Sequence, residues 1–221
     1  MCVVKLIPLL LLAFSFAAVA VDAPEAEISA KNIIAKLYLP DAANGYYRGT
    51  RFDWSGQIPS LRANNHDYFG VWFPKYDPKL HDAIEGPVEE FISEGDTSIG
   101  YNEAKVGDTF VRIGVGAVRK PDDKPYQRFR TYDVVDPGNW TIDRKKDHIT
   151  FRQELKDTNG YAYVYTKTVR VDGPKPVLTI EHSLKNTGSK PLNTLQYDHN
   201  FFVIDGKPTG PDASVTFPFD L

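Results

Sequence analysis

The chain has 221 residues, enough for one ordinary domain with its own core, and its formal net charge of −3 makes no electrostatic case for nucleic acid or an anionic membrane. Its single cysteine, Cys2, precedes an apolar run that reads as a removable leader, so the mature chain is expected to lack disulfides, cysteine–zinc sites and thiol nucleophiles. Aromatic residues make up 13%, with 12 Tyr and 13 Phe, which suits β-strands and sugar-stacking surfaces alike and so does not separate scaffold from function.

Lys5, the apolar stretch from Leu6 to Val19 and the small residues Ala18-Val19-Ala20 have the form of a secretory signal peptide over residues 1–20. Cleavage is expected after Ala20, with Ala23 as second choice, which would leave the protein secreted or periplasmic and off the membrane; an uncleaved anchor is the competing reading. Residues 21–30 are then expected as a tail, and 31–221 as a single β domain. Ile33 to Leu39 reads as the first strand, stopped by Pro40. Val88 to Ile92, after Pro87, is the best short helix candidate in a chain without a long helical period. Val111, Ile113, Val115 and Ala117 alternate with Arg112, Gly114, Gly116 and Val118, and Ile149, Phe151, Gln153 and Leu155 with Thr150, Arg152 and Glu154; both have the period of a half-buried strand. Asn159-Gly160 predicts a hairpin into Tyr161–Tyr165, and Asp172-Gly173-Pro174 a turn before Val177–Leu184. Val215 to Phe219 reads as the start of one more strand, so the chain is expected to be the N-terminal part of a longer protein. The predicted fold is all-β, a large antiparallel β-sandwich.

Three blocks could carry chemistry. Leu195-Gln196-Tyr197-Asp198-His199-Asn200-Phe201-Phe202 puts His199 on the strand face shared with Leu195, Tyr197, Phe201 and Val203, an imidazole among aromatic rings, while Gln196, Asp198 and Asn200 face away. Tyr46 to Gly56 carries Arg48 and Arg51, whose guanidinium groups could hold sugar hydroxyls; read as a strand, a spacing of three turns them to opposite faces, so one of them reaches a cleft. His81-Asp82-Ala83-Ile84-Glu85-Gly86-Pro87-Val88-Glu89-Glu90 could offer an acid and a base, or simply be a solvated acidic loop; its spacing fits no metal motif. His182 reads as a core histidine, His66 as a turn residue and His148 as exposed. Nucleophile elbow, phosphate loop and HExxH zinc motif are all absent.

In this order the blocks resemble the galactose mutarotase (aldose 1-epimerase) family, an arginine stretch followed by a histidine–glycine loop and a strand reading N-H-x-Y-F. The matching residues are Gly45–Gly56, His81 through Gly86-Pro87, and Asp198 to Phe202. Ile180 to Gly188 also resembles the strand leading into that family's N-x-G turn, and the likeness spans about residues 31–221. It implies a supersandwich fold binding a monosaccharide or other carbohydrate and interconverting α and β anomers without cofactor or metal. His199 would be the general acid, His81 a second histidine at the substrate, and Arg51, or else Arg48, the sugar-binding arginine; Tyr197 would line the same face. The chain departs from the family in Asp82-Ala83, where a double glycine is usual, and in the general-base glutamate, which would fall beyond Leu221. Glu85, Glu89 or Glu90 could replace that base only by folding over the cleft. A non-catalytic carbohydrate-binding sandwich and a structural envelope protein are the competing readings.

Overall fold

The computed structural model describes residues 22–73, 75–211 and 213–220; the expected signal peptide and Cys2 lie outside them. The period-two stretches become strands because one side of each can bury apolar side chains while the other meets water. In chain order they are β1 (Glu25–Ala30), β2 (Ile33–Tyr38), β3 (Ser60–Ala63), β4 (His66–Asp67), β5 (Gly86–Ile92), β6 (Thr109–Arg112), β7 (Gly116–Arg119), β8 (Val134–Asp136), β9 (Asn139–Arg144), β10 (His148–Thr158), β11 (Tyr161–Asp172), β12 (Val177–Asn186), β13 (Leu195–Phe201), β14 (Val203–Ile204) and β15 (Lys207–Pro208). All pairings between them are antiparallel, and no described residue is helical. The all-β, sandwich-like architecture expected from the sequence is the one observed.

One layer is the sheet β12-β11-β10-β9. Facing it are the sheet β1-β2-β3-β4, the pair β13-β5 and the sheet β6-β7-β8. Ile28, Leu37 and Ile58 meet Phe151 and Val169 between the first two sheets, and Phe91 and Val111 meet Leu155 and Tyr163 farther along. Each such fully buried side chain contributes about 1.5–3 kcal/mol. A third cluster, with Tyr47, Phe52, Trp54, Val88, Phe110 and Phe201, lies on the other side of β5. Strand β5 is therefore buried on both faces.

Four expectations need correction. Residues 25–30 are not a tail but strand β1, paired with β2 along its whole length. Val88–Ile92 is a strand rather than a helix, because its carboxylates and apolar groups point alternately into two different interiors. The run from Val111 to Ala117 is a hairpin rather than one strand: Gly114, at φ 79°, reverses the chain where a Cβ would stand 2.6 Å from Asp53 Oδ1. Val215–Phe219 forms no strand and is exposed. The Asn159-Gly160 hairpin is present, with both residues at positive φ.

Candidate functional site

Strand β13 pairs with β5 so that Tyr197 opposes Glu90, His199 opposes Val88 and Asp198 opposes Glu89. Opposed residues in an antiparallel pair share a face. Tyr197, His199 and Glu90 thus project to one side, and the connections before β3, β5 and β8 bring Arg51, then His81 and Asp82, then Arg128 and Phe129 to them.

Glu90 is the centre of this group and is fully buried. It accepts from Arg51 Nε at 2.9 Å, from Arg128 Nε and Nη2 at 2.8 and 2.9 Å, and from the Tyr197 hydroxyl at 2.6 Å. Arg112 Nη2 lies 3.6 Å from it. Burial alone would raise this carboxyl, but the hydrogen bonds from Arg128 and Tyr197 and the charges of Arg112 and Arg51 outweigh it and hold it below its ordinary value. Arg51 also pairs with Asp82, and its guanidinium sits between two rings, 4.4 Å from the Phe52 centroid and 4.7 Å from that of Phe129. Asp82 Oδ2 is 3.0 Å from His81 Nδ1. His81 lies against Phe129 with centroids 5.1 Å apart, and His199 stacks on Phe201 at 3.7 Å with its edge toward Phe52. Burial, followed by the nearby Arg51 charge, lowers the His199 pKa below 6.5.

Four of the five residues singled out in the sequence, His199, His81, Arg51 and Tyr197, therefore meet in one group. Arg48 does not join it. The Gly45–Gly56 stretch is irregular rather than a strand, and the Arg48 side chain donates to the Ala43 carbonyl. The glutamates of the His81 loop are committed elsewhere: Glu85 accepts from the Tyr46 hydroxyl at 2.8 Å, Glu89 pairs with Lys167 and Glu90 serves the arginines. Of the remaining histidines, His182 bonds Tyr165 but is exposed on β12 rather than a core residue, His66 contacts Asp205 at 2.8 Å, and His148 is half-buried against Asp147 rather than exposed.

Arg128, Phe129 and Asp82 belong to the site without having been singled out. The repeated pair Arg51-Phe52 and Arg128-Phe129 was the available signal, since a guanidinium beside an aromatic ring is a recurrent means of holding a planar or hydroxylated ligand. Phe129 is 55% exposed, an apolar ring offered to solvent beside two cations and a histidine. It adjoins an open depression of about 640 Å³ bounded by Asp96, Gln127, Arg128 and Arg130. Guanidinium donors, an exposed ring, a half-buried carboxylate and two imidazoles can bind hydroxyl groups, stack on a sugar ring and move protons. No protein-family model, curated protein or solved structure matches the chain.

Proposed function

We propose that this face binds an aldose and interconverts its anomers, as the resemblance to aldose 1-epimerases implies, in a protein exported to the periplasm or beyond. The convergence of Arg51, His81, Tyr197 and His199 from three distant segments carries the reading. Such chemistry needs an acid at the ring oxygen and a base at the anomeric hydroxyl, with hydrogen-bond donors fixing the sugar between them.

We assign His199 as the acid and His81, with Asp82 beside its Nδ1, as the base. His81 takes the anomeric hydroxyl proton, the C1–O1 bond becomes a carbonyl, and the bond from C1 to the ring oxygen breaks as His199 protonates that oxygen. Rotation about C1–C2 and the reverse transfers close the other anomer. No electrons leave the sugar, so the cycle requires no cofactor. Arg51 and Arg128, held rigid by Glu90, would donate to the sugar hydroxyls, and Phe129 would stack on its apolar face. Because the His199 pKa is lowered, its acid form is the minor one at neutral pH, and the acid-dependent rate should rise as pH falls toward its midpoint.

One observation favours sugar binding without catalysis. Glu85, Glu89 and Glu90 are buried and engaged, so none of them is available as a base. Saturation-transfer NMR from the aromatic side chains to glucose or galactose tests the binding step. Arg51→Ala should lose the transfer while His199→Ala keeps it; transfer unchanged in the arginine variant would remove this face from consideration.

A further inference from the structure

The other face of the β5–β13 pair holds a separate polar group at its seam with β12. Glu89, Asp198 and His182 come from β5, β13 and β12, and one ligand atom from each lies within 4.8 Å of the others. Glu89 is 1% exposed; its Oε2 is taken by the Lys167 ammonium, while its Oε1 has no hydrogen-bond partner. That orphaned oxygen faces His182 Nε2 at 3.4 Å.

The hydrogen-bond chain behind His182 fixes what Nε2 can offer. The Tyr165 hydroxyl has one proton and gives it to Asp53 Oδ2 at 2.9 Å. Its oxygen, 3.0 Å from His182 Nδ1, is then an acceptor, so the neutral ring carries its proton on Nδ1 and a bare lone pair on Nε2. A lone pair on nitrogen thus faces a buried carboxylate oxygen, an arrangement that is repulsive unless a proton or a metal cation joins them. The opposite ring nitrogen held by a hydrogen-bond relay to a carboxylate is how metal-bound histidines are oriented.

Distance and charge agree. Two ligands at about 2.1 Å from an ion with tetrahedral angles stand about 3.4 Å apart, the separation of Glu89 Oε1 from His182 Nε2. Asp53, Glu89 and Asp198 place three carboxylates around one ammonium, Lys167, whose Nζ is 3.7 Å from Asp53 Oδ2 and donates to the Ser55 carbonyl at 2.8 Å. Gln196 Nε2 steadies Asp198 by donating to Oδ1 at 2.7 Å. Asp198 is exposed, which gives an ion a route in from solvent.

We propose that Glu89, Asp198 and His182 bind one divalent transition-metal ion, clipping the edge strands β12 and β13 together. Imidazole with two monodentate carboxylates suits Zn²⁺ over Mn²⁺ and disfavours Ca²⁺, which takes six to eight oxygen ligands. The site lies on the face opposite His199 and stands whether or not that face binds sugar.

The test is calorimetric titration of the purified, EDTA-treated full chain with Zn²⁺, Mn²⁺ and Ca²⁺. One Zn²⁺ per chain should bind, Mn²⁺ more weakly and Ca²⁺ not at all. Outer-sphere partners alone are worth about 10–100-fold in metal affinity, so Asp198→Asn and His182→Gln should each weaken Zn²⁺ binding at least about 100-fold, and His66→Gln should not. Asp198 is exposed on an edge strand, so its variant folds and reports even if His182→Gln does not. No Zn²⁺ binding, or binding that survives Asp198→Asn, overturns the site.

Discussion

Replacing Glu90 by Gln keeps the shape of the side chain and removes the one charge on which three guanidinium groups converge. The amide can still accept with its oxygen, but its nitrogen then faces guanidinium donors. Arg51 retains Asp82, Arg128 retains a looser contact with Asp96 at 3.7 Å, and Arg112 retains the carbonyls of Thr50, Phe91 and Arg51. The loss is therefore smaller than the sum of the bonds broken, and should match that of breaking one buried ion pair, about 3–5 kcal/mol. With a urea slope of about 2 kcal/mol per molar, the unfolding midpoint should fall by about 1.5–2.5 M at pH 7 with the slope unchanged.

Acid should shrink that difference. The folded Glu90 pKa lies below the ordinary 4.5, so its stabilisation is fully present above that value and disappears as pH falls through the folded pKa. Wild type and variant should draw together as pH falls below 4.5. A midpoint shift under about 0.5 M at pH 7, or one independent of pH between 3 and 7, would refute the claim that Glu90 organises the arginines.

Lys167→Met leaves Glu89 and Asp53 buried without their cation and should cost about 3–5 kcal/mol, with Glu89→Gln added to it recovering part of the loss; urea denaturation of the single and double variants checks this. Gly114→Ala forces a side chain into positive φ and against Asp53, and should destabilise by about 2–4 kcal/mol, read as a drop in melting temperature. The His199 ring signals should titrate with a midpoint below 6.5 by NMR, since burial and Arg51 both disfavour its charged form; a midpoint above 6.5 would contradict the geometry around it.

Strands β2, β10, β11 and β12 were legible because each alternates between a more buried and a more open face. The alternation in Ile149–Leu155 and the Asn159-Gly160 turn marked β10, β11 and the hairpin between them, though not the register irregularity between Leu155 and Thr158. Strand β5 was not legible, because a segment buried on both faces has no period to read, and its two adjacent glutamates look like solvent-facing groups until their cations are known. Lys167 gave a readable sign: it occupies an inward position of β11 in line with Tyr163, Tyr165 and Val169, where an ammonium needs a buried carboxylate. His199, Tyr197, Arg51 and His81 stood out by residue type and order. Arg128 and Phe129 did not, since only the long connection between β7 and β8 brings them to β13.

Two-dimensional exchange NMR between the α and β anomers of glucose and of galactose, with and without the protein, tests the proposed activity most directly. Exchange faster than in buffer, lost in His199→Ala while the variant keeps its fold and its sugar binding, is the expected result. Exchange at the buffer rate for both sugars with the wild-type protein, or catalysed exchange that survives His199→Ala, would contradict it.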